Sequence, residues 1–228
     1  MIFRDREHAA TLLAARLDAW RGRRPLVLAI PRGAVPMGRT LARALEGDLD
    51  VVLVHKVGAP YQPEFAIGAV DESGAWHAEA HARSMGIDPG WLAAECARQV
   101  ARLRERRAAW SPGRAALDPA GRVAIVVDDG IATGATMDAA VRLLRARGPE
   151  RIIVAAAVAS PEAVTRLRRA ADEVVALHVP RDFRAVSLWF EDFAQVEDDE
   201  VAAILAAERE RERARPAGDG PPADVRRP

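Results

Sequence analysis

The chain has 228 residues, 50% of them hydrophobic and 29% charged, and its 33 basic side chains balance 33 acidic ones. That length suffices for one large or two small domains, and a formal charge of zero excludes a global attraction to nucleic acid or anionic lipid. A single cysteine, Cys96, excludes an internal disulfide and favours a reducing compartment. The charged N-terminal residues and the absence of a ~20-residue apolar run lead us to expect a cytoplasmic protein without a membrane span.

Helices and strands are predicted to alternate along most of the chain. Apolar residues at helical spacing predict a first helix from Asp5 to about Arg21. Apolar runs of strand length occupy residues 25–30, 50–56, 122–127, 151–158 and 173–177. Helices are predicted to end near Glu46, Arg147 and Ala171. Nearly continuous Val, Ile and Ala is typical of strands buried on both faces, so we predict an α/β fold with a mostly parallel twisted sheet and helices on both faces.

One segment interrupts the alternation. Residues 57–64 contain a glycine and two prolines, which predict a loop without regular structure. Two apolar stretches around residues 71–74 predict a hairpin. A long polar helix is predicted from about Asp88 to Trp110, and its arginine-rich face is interpreted as solvated rather than nucleic-acid-binding, because glutamates are interleaved.

The C-terminal part changes in composition. Its aromatic residues are Phe183, Trp189, Phe190 and Phe193. They predict a small hood built from the terminal segments, here residues 181–207, in which Trp189 and Phe190 either stack on an acceptor ring or pack as core. Residues 208–228 form a charged run that is too polar to pack, and we predict a disordered tail there. The rest, residues 1–207, is predicted to be a single domain.

The most informative stretch runs from Val126 to Met137. An apolar strand ends in Asp128 and Asp129, passes through a loop with two glycines and two threonines, and opens a helix. Backbone N–H groups, threonine hydroxyls and a helix N-terminus together bind phosphate without a lysine. The two acids would repel a phosphate alone, so we infer that they accept hydrogen bonds from a sugar diol and help to hold a divalent cation.

This stretch resembles the diphosphoribose-binding signature of type I phosphoribosyltransferases. The resemblance implies that Asp128 and Asp129 hold the ribose 2- and 3-hydroxyls and bind Mg²⁺, directly or through water. It places around the 5-phosphate Gly130, Ile131, Ala132, Thr133, Gly134, Ala135 and Thr136. Members that act on hypoxanthine or guanine carry an acid where this chain has Ala132, so the usual carboxylate beside the purine is missing.

The resemblance also places the leaving pyrophosphate. Family members bind it on a short loop after the first strand, often through a strained peptide beside a glycine, which corresponds to Arg32 and Gly33 here. An ordinary turn is the alternative. Lys56, the only lysine, is predicted at the end of the second strand, where several members place a basic residue that reaches the pyrophosphate; a solvated lysine fits that position equally well. The resemblance thus implies catalytic roles for Arg32, Lys56 and the two aspartates.

Residues 57–87 resemble in position the mobile flap that closes over the site and keeps water from an oxocarbenium-like transition state. Glu64, Asp71 and Glu72 lie there, and we assign none of them a role. Over residues 3–205 the chain further resembles a little-characterised group of bacterial phosphoribosyltransferases.

We therefore expect a magnesium-dependent phosphoribosyltransferase that transfers ribose 5-phosphate from phosphoribosyl pyrophosphate to a nitrogen acceptor such as a nucleobase, with release of pyrophosphate. Its expected partners are these small molecules, with neither membrane nor nucleic acid, and assembly into a homo-oligomer stays open. The alternative is a regulatory module that senses phosphoribosyl pyrophosphate without catalysis.

Overall fold

A parallel sheet of five strands forms the centre of the protein, and an antiparallel sheet of three strands lies beside it. The computed structural model describes residues 2–215. The central sheet contains β1 (Leu26–Ala29), β2 (Asp48–Val51), β6 (Val123–Ile131), β7 (Arg151–Ala159) and β8 (Glu173–His178), in the order β2-β1-β6-β7-β8. The small sheet contains β3 (Val54–Ala59), β4 (Gln62–Asp71) and β5 (Trp76–Ala78).

Helices cover both faces of the central sheet, which confirms the predicted α/β fold. They are α1 (Arg6–Arg16), α2 (Val35–Ala44), α3 (Pro89–Trp110), α4 (Ala135–Arg145), α5 (Pro161–Leu167) and α6 (Asp198–Ala214). Successive strand residues point to opposite faces. Val27 and Val127 therefore pack with α1 and α2, whereas Leu28 and Val126 pack with α4 and α5.

The register of the central sheet brings two predicted loops together. Leu28 pairs with Val126 and Ala29 with Val127, so the segments that follow β1 and β6 leave the sheet at the same edge. The prediction that β6 ends at residue 127 is wrong, because β6 continues alongside β7 as far as the pair Ile131 and Ala159. The phosphate loop is correspondingly short, residues 132–134.

The second predicted strand, residues 50–56, is in fact two strands. β2 ends at Val51 in the central sheet, and β3 begins at Val54 in the small sheet. The prediction of a loop at residues 57–64 is also wrong, since most of these residues belong to the paired strands β3 and β4. The register shifts on both sides of Gly58 form a bulge, and a Cβ there would overlap the Pro63 carbonyl group, so glycine lets the ladder pass a proline.

Two other local predictions in this region are confirmed. β4 and β5 form an antiparallel hairpin in which Ala69 pairs with His77. The long helix begins directly after Asp88, whose carboxylate accepts a hydrogen bond of 2.6 Å from the Trp91 backbone N–H and caps the helix.

The N-terminal residues pair with the C-terminal aromatic segment. The Phe3 N–H donates to the Trp189 carbonyl group at 2.8 Å, and the Glu191 N–H donates to the Phe3 carbonyl group at 2.8 Å. The rings of Phe3 and Phe190 lie 5.4 Å apart. Phe190 is 7% exposed and belongs to the core, so it is not free to stack on an acceptor.

The prediction that the chain is disordered from residue 208 is wrong for residues 208–215. Helix α6 continues to Ala214. Glu208 is 2% exposed and accepts hydrogen bonds of 2.6 Å from both Arg43 and Arg211. These ion pairs let a highly charged segment pack against the fold. Residues 216–228 of the predicted tail lie outside the described residues.

Within residues 2–215, no helix combines the length and the apolar character that crossing a membrane requires.

Candidate active site

Two adjacent carboxylates lie in the last part of β6. Asp128 Oδ1 accepts a hydrogen bond of 2.9 Å from the Asp129 backbone N–H. Burial raises the pKa of Asp128 well above its ordinary value, and the negative charge of Asp129 raises it further. Burial raises the pKa of Asp129 as well, and the charge and hydrogen bond of Arg6 oppose that rise. The pair therefore favours positive charge or hydrogen-bond donors in its neighbourhood.

The phosphate loop, residues 132–134, lies between the end of β6 and the start of α4. Gly134 has φ of 72° and is the N-cap of α4, a left-handed conformation that suits glycine. Gly134 has no side chain to cap the helix, and the Ala135 backbone N–H donates to the Thr133 hydroxyl at 3.4 Å. The N–H groups that follow Ala135 in the first turn of α4 can bind an anion. Ala132, Thr133 and Thr136 are exposed on this turn. The geometry is that of a phosphate-binding loop.

Ser160, the N-cap residue of α5, holds the phosphate loop in place. Its hydroxyl donates to the Ala132 carbonyl group at 2.6 Å and accepts from the Ala163 backbone N–H at 3.0 Å. The Ser160 backbone N–H donates to the Ile131 carbonyl group at 2.9 Å. A Cβ on Gly134 would lie 3.3 Å from Ala163. The loop is therefore packed against the start of α5.

The loop after β1 lies against the carboxylates, as the parallel register requires. The peptide bond between Pro31 and Arg32 is cis. A Cβ built on Gly33 would overlap Asp129 Oδ2, so only glycine lets this backbone approach the carboxylate. The Arg32 guanidinium lies 3.3 Å from Glu197 Oε2 and 3.5 Å from Asp198 Oδ1, at the start of α6. Gly33 thus adjoins Asp129, whereas the Arg32 side chain contacts the acids at the start of α6.

Lys56 is placed differently from the prediction. It is exposed on β3 of the small sheet, not at the end of a central strand. It pairs with Ala69, which packs against Ala139 of α4, and opposite residues of an antiparallel pair share a face. Lys56 therefore lies on the α4 side of the small sheet. Within residues 2–215, no hydrogen bond or ion pair joins it to the two aspartates.

The sequence analysis missed Arg6. Its Nε donates to Asp129 Oδ2 at 2.9 Å, and the two side chains are only 12% and 13% exposed. The two residues are 123 positions apart, and an arginine in a charged helix start carries no local signal of such a partner.

The C-terminal aromatic segment, residues 181–207 and called the terminal segment below, borders the site at Gly130. A Cβ on Gly130 would overlap the side chain of Val186, so this segment lies directly on β6. The Trp189 ring lies 4.6 Å from that of His178, and the Trp189 indole N–H is buried without a partner among the described residues. The hood function of residues 181–207 stays a prediction.

The acids of the predicted flap differ in environment. Glu64 is exposed, whereas Glu72 accepts hydrogen bonds of 2.8 and 2.6 Å from Arg107. The Asp71 carboxylate accepts from the Ser73 and Ala75 N–H groups of the hairpin turn. Asp71 and Glu72 thus stabilise the hairpin, and the closure of residues 57–87 over the site stays a prediction.

A cavity of about 400 Å³ lies between this hairpin and α4, away from the two aspartates. It adjoins Leu28, Val52, Leu117 and Leu143. Its two buried acids are Asp50 and Asp71. Asp50 is paired with Arg107 and the Leu117 N–H, and Asp71 with the hairpin turn. The cavity contains none of the predicted site residues.

Comparison with known proteins decides the family. A family model described as phosphoribosyl transferase domain matches residues 4–188. The chain belongs to this family. It is 39% identical over 205 residues to a protein of Mycobacterium tuberculosis H37Rv provisionally named phosphoribosyl transferase Rv0571c. That alignment covers 90% of this chain and 46% of the relative, so this phosphoribosyl transferase domain spans about half the length of that protein.

A solved structure resembles the whole domain. The crystal structure of TT1426 from Thermus thermophilus superimposes with a TM-score of 0.84 at 48% sequence identity, covering 91% of this chain and 99% of that one. The family membership predicted from residues 126–137 is therefore confirmed, together with the fold.

Proposed function

We propose that the chain is a phosphoribosyltransferase that transfers ribose 5-phosphate from phosphoribosyl pyrophosphate to a nitrogen acceptor, a nucleobase or a related heterocycle, and releases pyrophosphate. The observation that carries the proposal is the arrangement of two loops around one carboxylate pair. Residues 132–134 begin just after β6, which ends two residues beyond Asp129, and Gly33 lies against Asp129. A ligand with a phosphate at one end, a diol in the middle and a pyrophosphate at the other end matches this order.

The residues present fit a magnesium ion that is shared with the donor. Within residues 2–215, no cluster of three or more His, Cys, Asp or Glu side chains could hold a metal alone. Mg²⁺ ordinarily binds one or two carboxylates and completes its shell with water and substrate phosphates. Asp128 and Asp129 would hold it, and it would neutralise charge on the pyrophosphate.

The chain's own residues would act by position and charge. The two aspartates would accept hydrogen bonds from the ribose hydroxyls, and the start of α4, where the N-cap residue is glycine, would bind the 5-phosphate. Backbone N–H groups near Gly33 and the Arg32 guanidinium stabilise the charge on the departing pyrophosphate. No covalent intermediate is needed, because orienting donor and acceptor supplies much of the rate enhancement.

Calorimetry with the donor and magnesium tests the proposal. Wild-type protein should bind, and the double variant Asp128→Ala, Asp129→Ala should not. Asp182→Ala is the matched control, since that aspartate is 77% exposed and is paired with nearby Arg184. Wild-type affinity in the double variant would refute the assignment.

A second measurement tests turnover. The protein is incubated with labelled donor, magnesium and a panel of bases. Release of pyrophosphate that depends on one base supports the transferase and identifies the acceptor. Tight donor binding with no release of pyrophosphate in the presence of any base would instead support the donor-sensing module.

A further inference from the structure

Arg6 contacts two parts of the site with one side chain. Its Nε donates to Asp129 Oδ2 at 2.9 Å, and its Nη1 donates to the Ala194 carbonyl group at 2.6 Å. The guanidinium carbon lies 4.0 Å from the centre of the Phe193 ring, within the range of a cation–π contact. One guanidinium therefore contacts a carboxylate of β6 and two residues of the terminal segment.

The position of Arg6 in its helix does not favour a cation. Arg6 is the first residue of α1, where the helix dipole favours negative charge. The helix start itself is fixed by Asp5, whose carboxylate accepts from the His8 N–H at 2.7 Å, and by the buried residues Ala9 and Leu13. Because the helix gains nothing from a basic residue here, the contacts of the guanidinium must account for its place.

The loop after β1, which contains Arg32 and Gly33, lies against the same ion pair. A Cβ on Gly33 would overlap Asp129 Oδ2 and would lie 3.3 Å from Arg6 Nη2. The guanidinium and the Gly33 backbone thus confine the Asp129 carboxylate from two sides. Arg6 is bonded to Oδ2, and because a carboxylate accepts several hydrogen bonds, Asp129 can still accept one from a ligand.

We propose that Arg6 is a positioning residue for the donor: it orients Asp129 toward the ribose and makes donor binding depend on the terminal segment around Phe193. The inference rests on the proposed function, because it assigns Asp129 to the ribose. In metal sites, losing a residue that orients a ligating side chain costs about 10–100-fold in metal affinity or activity. We expect a loss of that size for Arg6→Ala.

The experiment measures donor affinity by calorimetry with magnesium for Arg6→Ala, Arg6→Gln and Arg6→Lys. Arg39→Ala is the matched control, since Arg39 is a neighbouring arginine whose one ion pair, to Glu7, is 3.4 Å long. Arg6→Ala and Arg6→Gln should bind weakly, Arg6→Lys should recover part of the affinity, and Arg39→Ala should bind like wild type.

Chemical rescue separates positioning from a merely structural role. An open cavity of about 230 Å³ is lined by Arg6, Arg39, Asp192 and Gln195, so a free guanidinium ion can reach the space left by Arg6→Ala. Millimolar guanidinium should restore donor affinity several-fold in Arg6→Ala, and sodium chloride at equal ionic strength should not. The inference would be overturned if guanidinium restored no donor affinity in Arg6→Ala or Arg6→Gln and if Arg6→Lys bound the donor as weakly as those variants.

A double-mutant cycle tests the role of the terminal segment. Phe193→Leu keeps an apolar side chain but loses the ring beneath the guanidinium. Phe193→Leu should weaken donor binding in the wild-type background and have little further effect in Arg6→Gln. Additive effects would refute the coupling, and this cycle remains informative if Arg6→Ala does not fold. If wild-type protein binds no donor, the proposed function fails; if wild type binds and the Arg6 variants bind equally, only this inference fails.

Discussion

Ser160→Ala removes two hydrogen bonds that link the phosphate loop to α5. The hydroxyl caps α5 through the Ala163 N–H and donates to the Ala132 carbonyl group, and Ser160 is 5% exposed. Loss of an N-cap costs ~1 kcal/mol, and loss of the second hydrogen bond costs about as much, since exposed Ala132 can be partly rehydrated. We expect the variant to lose about 2 kcal/mol of unfolding free energy.

Urea denaturation measures that loss, and a thermal scan should show Tm lowered by about 4–8 °C for a domain of this size. Donor affinity should also fall, because the loop that we propose binds the 5-phosphate is no longer hydrogen-bonded to Ser160 at the start of α5. Ser160→Thr retains the hydroxyl and should behave like wild type, as should Ser187→Ala at an exposed serine. A Ser160→Ala variant within ~0.5 kcal/mol of wild type, with unchanged donor affinity, would refute this account of the loop.

Three further variants test the remaining contacts. Gly33→Ala places a methyl group on Asp129 Oδ2, so donor affinity measured by calorimetry should fall at least about tenfold. The folded-state pKa of Asp128 is raised, so ionising it costs wild-type stability as pH rises above the ordinary carboxyl range. Asp128→Asn should therefore raise Tm in EDTA at pH 8, with the gain shrinking toward pH 4. Arg107→Leu strips Asp50 and Glu72 of their buried cation and should cost about 3–5 kcal/mol in urea denaturation.

The controls for these variants are equally specific. Arg106→Leu changes an exposed arginine of the same helix and should cost much less than Arg107→Leu; equal costs would contradict the role of the buried pairs. A Gly33→Ala variant with wild-type donor affinity would show that the loop does not lie against Asp129. A Tm gain of Asp128→Asn that is the same at pH 4 and pH 8 would contradict the raised pKa.

Local pattern was sufficient for the parts of the fold that depend on short-range spacing. Apolar runs predict the central strands, and the resemblance to phosphoribosyltransferases assigns Gly33 and the two aspartates to one site. The signature between residues 126 and 137 predicts the phosphate loop for the same reason: strand end, glycine turn and helix start are consecutive in the chain.

The errors come from interactions between distant residues. The second strand was predicted as one piece because nothing in residues 50–56 shows that β3 leaves the central sheet to pair with β4. The charge of residues 208–215 suggested disorder, but Glu208 pairs with Arg43, which lies 165 positions earlier. Arg6 was missed for the same reason. Composition reports how much charge a segment carries, whereas order depends on whether the fold supplies its counter-charges.

The two arginines of the site differ in a way that fits the proposed chemistry. The Arg6 pair with Asp129 is almost fully buried, so breaking it would leave a carboxylate without its cation. Arg32 is 35% exposed and its partners Glu197 and Asp198 are 62% and 65% exposed, and pairs of that kind contribute about 0–1 kcal/mol. A pyrophosphate with two or more negative charges would therefore replace those acids as the partner of Arg32 at little cost in free energy, while Arg6 remains paired with Asp129. Under the proposed function, the ribose end of the site would be held in place before the donor binds, and the pyrophosphate end would rearrange around it.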